Sequence, residues 1–368
     1  MSALLEAALR LHHYLVDHHW RGDALIGPDP GIRFNYRLGR FLKSYLGRWP
    51  WTDDLCYLQG QGYWILANWR LHSVTTDARY AEMAIRGSDG VLQRQRSDGA
   101  WEYPNPEWRG RVATAEGIWA AGGLLESFRR TGEARFLHGA RCWHDFLIKD
   151  VGFQRIDSEL SLNYFSRPTT LGIRVLNTTA TGLRHLADFA AVTGNDGHRE
   201  RCAGLIRFLR NTQKQTGELP YAVRGTTGGK DRPHFQCPQY NAYQCRSLLR
   251  YHELTGDPAV LPVIRGVLEF LQQGLSPAGH AYYQCGNRHR AVVYHTAALG
   301  AAWANATRQG ISDYAELAQR AFAYVLGRQG PDGGFPYSQG DYRVLEDRRS
   351  YPRYLAMILC HLLEAHEV

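Results

Sequence analysis

The sequence has no long hydrophobic run and no basic tail. No stretch of about 18 apolar residues occurs, which argues against a transmembrane helix. Arg10, His12 and Asp17 interrupt the N-terminal segment, so it does not resemble a secretory leader. No helix-turn-helix or zinc-finger spacing accompanies the net charge of +8. We therefore expect a cytoplasmic protein that has no transmembrane segment and does not bind nucleic acid.

Cysteine is sparse, and its pattern does not indicate pairing. The seven cysteines stand singly along the chain, as at Cys56, Cys142 and Cys202, without the close pairs of a zinc site. Scattered single cysteines of this kind are typical of reduced thiols in a protein core. The sequence predicts neither a metal site nor a cofactor.

What the sequence does contain is a repeat. The pattern Gly, any residue, a hydrophobic residue, any residue, Tyr occurs at 99–103, 217–221, 279–283 and 333–337, and a degenerate copy occupies 158–162. Successive copies start 59, 59, 62 and 54 residues apart. A fixed period of about 55 to 60 residues is typical of repeat architectures, in which each unit packs on its neighbours.

Two helices fit between successive copies. Each first helix ends at a Thr or Gly suited to a helix C-cap, as at Thr76, Gly132 and Gly194. The first helices are apolar on most sides, which predicts burial, whereas the second helices alternate apolar and charged residues and should face water. The predicted first helices are 54–72, 113–131, 176–193, 238–255, 292–308 and 350–366.

An amphipathic N-terminal helix at 3–19 is the natural partner for the last of these. The sequence therefore predicts an all-α (α/α)6 toroid of six helical hairpins, closed by pairing of the N-terminal helix with the C-terminal one. We expect a single domain spanning 1–368, with residues 21–53 as a long connection and candidate lid.

The loops before the inner helices are rich in arginine, which far outnumbers lysine. These loops should place all six inner-helix N-termini at one end of the ring, where free N–H groups favour anions. Because guanidinium groups bind carboxylate and phosphate in a bidentate manner, we expect an anionic small molecule or glycan as substrate.

Two copies of the repeat carry a recognisable resemblance. Gln95-x-x-Asp98-Gly99-x-Trp101 and Gln329-x-x-Asp332-Gly333-Gly334-Phe335 resemble the "QW" repeats of the terpenoid cyclase and prenyltransferase toroids. Similar loops occur in six-hairpin carbohydrate enzymes, which include polysaccharide lyases, unsaturated glucuronyl hydrolases and uronyl epimerases. The resemblance implies the toroid fold and concerns scaffold residues, so function has to be argued from the mouth of the ring.

The leading hypothesis is an enzyme that acts on a uronate-containing glycan by lyase- or epimerase-type proton abstraction. This chemistry needs an acid/base pair and groups that hold the substrate carboxylate. The candidate acid/base residues are Tyr294, His295 and Tyr240. The candidate substrate-binding residues are Arg353, Asn241, Asn177, Tyr354, Arg290 and Arg111.

Glycoside hydrolysis is a second possibility, with Asp54 and Glu116 as two carboxylates on adjacent inner helices. The segment Trp51-Thr52-Asp53-Asp54 looks similar to the start of an inner helix in unsaturated glucuronyl hydrolases.

Two further alternatives belong to other classes. An isoprenoid cyclase or prenyltransferase would use the many aromatic residues and a bound diphosphate, but Thr52-Asp53-Asp54 is one carboxylate short of the cyclase acid motif. The second alternative is a toroid without catalytic activity that binds a glycan or a protein.

Overall fold

The computed structural model describes residues 2–31, 38, 42, 44–46, 53–166, 173–195, 197–224, 237–284 and 286–366. Across these ranges twelve long α-helices form six hairpins, and the predicted (α/α)6 toroid is confirmed. The helices are α1 (Ala3–His18), α2 (Leu58–Thr75), α3 (Ala78–Gln93), α4 (Thr114–Thr131), α5 (Ala134–Phe146), α6 (Leu176–Thr193), α7 (Arg199–Thr212), α8 (Cys237–Thr255), α9 (Leu261–Gln272), α10 (Val293–Arg308), α11 (Ala315–Leu326) and α12 (Pro352–His366).

The even-numbered helices form a closed inner ring. Each of them contacts the next along the chain, and α12 contacts α2. Helix α10 is buried continuously from Val293 to Ala306, as expected of a helix enclosed on all sides. The outer helix α3, by contrast, buries only one face. The predicted division into inner and outer helices is therefore confirmed.

The N-terminal helix closes the ring, as the sequence predicted. Helix α1 packs against α12. Ser2 Oγ lies 2.7 Å from His366 Nδ1, so the start of α1 is joined to the end of α12. The side-chain amide of Gln329 also donates to the Ala7 carbonyl at 2.9 Å.

The repeated glycines are the joints between neighbouring hairpins. All four have φ between +85° and +91°, a conformation that favours glycine. A Cβ at any of them would lie within 2.6 Å of a carbonyl oxygen on the next outer helix, which in the last copy is α1. Gln95, Gln213 and Gln329 reinforce three of these joints, because each amide donates both to its own turn and to that next helix. The four glycines are Gly99, Gly217, Gly279 and Gly333.

Short strands, which the sequence did not predict, line the loops before the inner helices. They are β1 (Phe153–Ile156), β2 (Glu159–Leu162), β3 (Ile173–Val175), β4 (Ala222–Arg224), β5 (Ala291–Val292), β6 (Ser338–Asp341) and β7 (Leu345–Asp347). Strand β1 pairs with β2, β3 pairs with β4, and β6 pairs with both β5 and β7. All of these pairings are antiparallel. The degenerate repeat copy at 158–162 belongs to the β1–β2 hairpin, whose turn places Asp157 at φ 49°.

The expected start of the first inner helix is wrong by four residues. Helix α2 begins at Leu58, not at residue 54. The long connection at 21–53 is described in part. Gly27 pairs with Leu55 in a β-bridge, and Tyr45 donates to Asp341 at 3.0 Å. Whether the connection acts as a lid stays a prediction. Among the described residues no helix is long and apolar enough to cross a membrane.

Candidate active site

The interior of the ring is divided into three levels along its axis. The first turns of the inner helices and the loops before them form one end, which we call the mouth. About one and a half turns further along these helices lie Tyr63, Trp119 and Tyr243, and His361 on α12 contacts Tyr63. We call these four residues the aromatic layer. Beyond it, a cavity of about 270 Å³ lies among the C-terminal halves of the inner helices, and we call it the rear basin.

Glu116, in the first turn of α4, is the buried carboxyl group of the mouth. It is 2% exposed, and one of its oxygens accepts the Gln59 N–H at 2.9 Å, at the start of the neighbouring helix α2. Burial raises the pKa of Glu116 to about 7, against the lowering effects of the Arg353 charge and the Gln59 N–H. At neutral pH this carboxyl is therefore populated in both its protonated and its ionised form.

Arg353, at the start of α12, is the cation beside Glu116. Its Nη2 lies 2.8 Å from Asp29 Oδ2, and Asp29 is fully buried. The guanidinium lies over the rings of Tyr57 and Tyr354, 4.1 and 4.6 Å from their centroids. These contacts hold the guanidinium in one orientation, and Asp29 balances its charge.

Tyrosines surround these charged groups. Tyr57 and Tyr103 meet edge to face at 5.8 Å, and Tyr294 and Tyr354 lie 4.2 Å apart. Burial raises the pKa of every member of the set above its usual value, so the phenols stay neutral and keep their O–H protons. A phenolate base, which the proton-abstraction hypothesis allowed for Tyr294 and Tyr240, is therefore disfavoured. The set consists of Tyr57, Tyr103, Tyr164, Tyr240, Tyr294 and Tyr354.

His295 lies in the next sector of the mouth. Its ring is parallel to Tyr283 at 5.6 Å and edge-on to Tyr294 at 4.4 Å. Burial lowers its pKa well below the usual value, and the nearby Arg290 charge acts in the same direction. Neither ring nitrogen has a hydrogen-bond partner among the described residues. The side chain is thus a buried neutral imidazole whose protonated form is disfavoured.

Two of the proposed substrate-binding residues, Arg290 and Asn241, already make contacts that stabilise the protein itself. Arg290 forms a buried ion pair with Asp341 and lies over Tyr283. Asn241 exchanges two hydrogen bonds with the backbone of Leu219, which fixes the loop before α8.

Asn177 lies at the start of α6, and its side-chain oxygen accepts from the Thr178 hydroxyl at 3.3 Å. Its backbone carbonyl also accepts from Thr181. Whether Asn177 contacts a substrate stays a prediction.

Asp54 and Arg111 do not join the buried group. Asp54 is exposed, four residues before α2, and hence not on an inner helix as the hydrolase hypothesis expected. Arg111 is exposed at the rim of the mouth, where its guanidinium lies 5.1 Å from the Trp108 ring and 5.6 Å from that of Phe165.

Asp29 is a residue of the site that no sequence pattern predicted. This residue stands between Pro28 and Pro30 in the long connection, outside every repeat. An acidic residue held between two prolines is the one feature that marks it. Its partner, Arg353, lies 324 residues away, so no local pattern joins them.

The aromatic layer separates the mouth from the rear basin. Tyr63 stacks on Trp119 with a centroid distance of 4.0 Å. The Trp119 indole N–H donates to the Tyr243 hydroxyl, which also accepts from the Gln59 side chain at 2.9 Å. All three aromatic rings are buried, so the layer forms the floor of the mouth.

No group of three or more His, Cys, Asp or Glu side chains suited to a metal ion occurs within the described ranges.

Solved structures that share this architecture include two sugar epimerases and a possible member of the GH105 family. A cellobiose 2-epimerase from Bacillus thermoamylovorans superposes with a TM-score of 0.75 at 13% identity, covering 98% of each chain. A sugar epimerase from a ruminal bacterium gives 0.74 at 11% identity, covering 100% of both chains. A possible member of the GH105 family from Salmonella enterica gives 0.72 at 14% identity, covering 99% of this chain and 94% of the other.

At these identities the likeness establishes the fold and leaves the activity open. The resemblance to α/α-toroid enzymes is thus confirmed at the level of architecture. No protein-family model matches the chain. A search of curated proteins gives no match either.

Proposed function

We propose that the chain is a carbohydrate-active enzyme that binds a sugar at the mouth and transfers a proton to or from it. Glu116 is the proton-carrying group. The observation that carries this proposal is the burial of the Glu116 carboxyl group, which is 2% exposed and lies beside the Arg353 charge at the mouth. Burial raises its pKa to about 7. A general acid or base works best when its pKa lies near the operating pH, and such a shift is typical of catalytic groups.

The surroundings of Glu116 fit a sugar. Aromatic rings offer flat apolar faces to the C–H side of a sugar ring, and the neutral phenols of Tyr240 and Tyr354 are donors for its hydroxyl oxygens. The solved structures that share the fold include two sugar epimerases. Charged groups at the centre of the mouth, namely Glu116, Arg353 and Asp29, speak against the isoprenoid alternative, which needs an apolar cavity.

The chemistry we favour removes a proton from a carbon next to a carbonyl or carboxyl group and returns it there or to a neighbouring atom. Glu116 can exchange a proton at neutral pH, because burial raises its pKa to about 7. His295 stays neutral, because burial holds its pKa well below the usual value, and its ring nitrogens can serve as hydrogen-bonding groups for the substrate. Negative charge that develops on the substrate oxygen would be stabilised by neutral phenol donors and by Arg353, which Asp29 already holds in place. The fixed donors cost little reorganisation during the reaction.

Glycoside hydrolysis is the second candidate. A raised pKa also suits a general acid that protonates a leaving group. Hydrolysis then needs a second carboxylate, and Asp54 is exposed away from the buried group. Asp29 is close enough to raise the pKa of Glu116, but Arg353 engages it. Proton transfer at carbon is therefore the better-supported function.

An acidic substrate remains part of the proposal through Arg111. Arg353 and Arg290 are each engaged by a buried carboxylate, whereas Arg111 makes no ion pair in the described part of the chain. Its aromatic neighbours Trp108 and Phe165 continue to Tyr103, at 6.3 and 6.4 Å, and so connect the rim to the buried site. A uronate carboxylate bound at Arg111 would place its sugar ring over these aromatics.

The test is incubation in D2O with cellobiose, mannose, glucuronate and unsaturated uronyl disaccharides, followed by proton NMR. We expect loss of a sugar C–H signal and appearance of an epimer, an isomer or an elimination product. Glu116→Gln should abolish the change, whereas Glu316→Gln, an exposed carboxylate on α11, should not. Release of reducing ends without deuterium at carbon would replace proton transfer with hydrolysis. Saturable binding without turnover would support the non-catalytic alternative.

A further inference from the structure

We propose that the rear basin is a second binding site, which takes a small phosphorylated anion. The basin lies on the ring axis at the end opposite the mouth, and all six inner helices contribute to it. The aromatic layer separates it from the mouth. Its volume of about 270 Å³ suits a small molecule. The proposal does not depend on the reaction at the mouth.

The lining of the basin is strongly basic. Seven arginines face four carboxylates, which leaves a formal charge of +3. An excess of this size inside a concave surface focuses the positive potential there and attracts anions. The arginines are Arg70, Arg129, Arg130, Arg184, Arg246, Arg250 and Arg308, and the carboxylates are Glu126, Asp188, Glu253 and Glu364.

The carboxylates hold the guanidinium groups in place. Glu364 bridges Arg70 and Arg246, at 3.5 and 2.5 Å. Asp188 bridges Arg184 and Arg250, at 3.2 and 3.0 Å. Because each carboxylate serves two arginines, the donors are fixed before any ligand arrives, and their ordering costs little on binding.

Arg184 is the clearest ligand-binding group. Its guanidinium lies over the Trp119 ring at 4.3 Å, directly below the aromatic layer. Its Nε donates to Asp188, while its two terminal nitrogens have no hydrogen-bond partner among the described residues. Four N–H donors therefore remain for an anion.

Helix dipoles do not account for these arginines. The C-terminal ends of the inner helices carry partial negative charge that favours cations, but the effect falls off within the last turn. Arg184 and Arg246 lie nine residues before the ends of α6 and α8, about two and a half turns away. Their positions deep in the ring require another explanation, and ligand binding supplies one.

A phosphoryl group matches the basin better than a carboxylate does. It carries about −1.5 to −2 at neutral pH and offers three acceptor oxygens. Guanidinium groups bind such an anion in a bidentate manner. A single carboxylate would leave most of the formal +3 without a counter-charge.

The experiment is isothermal titration calorimetry with pyrophosphate at low ionic strength, in a buffer without phosphate. We expect saturable one-to-one binding that weakens as salt is added. Arg184→Gln should weaken it at least tenfold, whereas Arg135→Gln, on the outer surface of α5, should leave it unchanged. Glucose 6-phosphate and glucose are titrated in parallel. Tighter binding of the sugar phosphate than of pyrophosphate would identify a phosphorylated sugar as the ligand, and the reverse order a free phosphate anion.

A second variant shifts the affinity in the opposite direction. Glu253→Gln removes a negative charge from the lining, while Arg250 keeps its ion pair with Asp188 and so stays in place. Binding should therefore tighten severalfold. The Glu253 side chain is 36% exposed, and its loss should not impair folding. The proposal is overturned by absence of saturable binding of both phosphate probes, by unchanged affinity in Arg184→Gln, or by weaker binding in Glu253→Gln. None of these readouts involves turnover at the mouth, so either proposal can fail without the other.

Discussion

The two ends of the ring each contain a buried glutamate, and the two glutamates behave in opposite ways. Glu116 at the mouth and Glu364 at the rear basin are 2% and 7% exposed. Burial raises the pKa of Glu116 to about 7. Burial alone would also raise the pKa of Glu364, but the Arg246 and Arg70 guanidinium groups hold it well below the usual value.

The difference lies in the partners. Glu364 accepts directly from Arg246, whereas the cation beside Glu116 is paired with Asp29. Equal burial therefore produces a proton-exchanging group at one end and a permanently ionised one at the other. We therefore assign proton transfer to the mouth, whereas the charged groups of the rear basin stay ionised.

The strongest test of this comparison removes the mouth carboxyl. Glu116→Gln should reduce turnover of a sugar substrate by about 10² to 10⁴, the usual contribution of a general acid or base. The amide cannot exchange a proton but keeps the shape of the side chain. Steady-state kinetics measure the effect, and thermal unfolding checks that the variant is folded. Turnover within threefold of the parent would remove Glu116 from the mechanism.

The corresponding change at the rear affects stability. Glu364→Gln should lower the free energy of unfolding by about 3 to 5 kcal/mol, because Arg246 would stay buried without its counter-charge. Urea denaturation provides the measurement, with Glu316→Gln as the surface control. A loss below about 1 kcal/mol would show that the Glu364 ion pair contributes little, as exposed pairs do.

The pH dependence of stability should separate the two ends. Since folding raises the pKa of Glu116 from 4.5 to about 7, its protonated form stabilises the fold below about pH 4.5, and this contribution is lost as the pH rises through 7. The stability of the parent relative to Glu116→Gln should thus fall by about 3 kcal/mol between pH 4.5 and 8. For Glu364 the sign is opposite, since its lowered pKa gives stability that is lost only on acidification. Urea denaturation at several pH values measures the free energy of unfolding of both proteins. If this free energy varied with pH in the same way in the parent and in Glu116→Gln, the raised pKa of Glu116 would be contradicted.

The smallest effect concerns the rim of the mouth. Arg111→Gln should raise the KM for an acidic sugar roughly tenfold, about 1.4 kcal/mol, and leave kcat nearly unchanged, because a rim arginine contributes to binding and not to proton transfer. The KM for a neutral sugar should not change. Equal effects on acidic and neutral sugars would remove Arg111 from substrate recognition.

The fold could be predicted because its determinants are local and repeated. Gly99 and Gly333 each need positive φ, and Gln95 and Gln329 repeat the same two hydrogen bonds, so the same few residues mark three of the four glycine joints. The short strands were missed because two to four residues of extended chain carry too weak a pattern.

The site could be predicted only in part. Glu116, Arg353 and Tyr294 come together because all lie in first turns of inner helices, and a ring gathers such positions. Asp54 was misplaced because an acidic residue before an apolar run marks a helix start only approximately. Asp29 was missed because its contact with Arg353 spans the whole chain.

The most direct test of the central claim is an infrared difference titration of the parent against Glu116→Gln between pH 4 and 10. The carbonyl band of the protonated carboxyl, absent from the variant, should disappear with a midpoint near pH 7. The same titration of Glu364→Gln should show no such missing band, since Glu364 stays ionised. A midpoint near 4.5 for Glu116 would contradict the account, because the mouth would then hold an ordinary carboxylate with no special capacity for proton transfer.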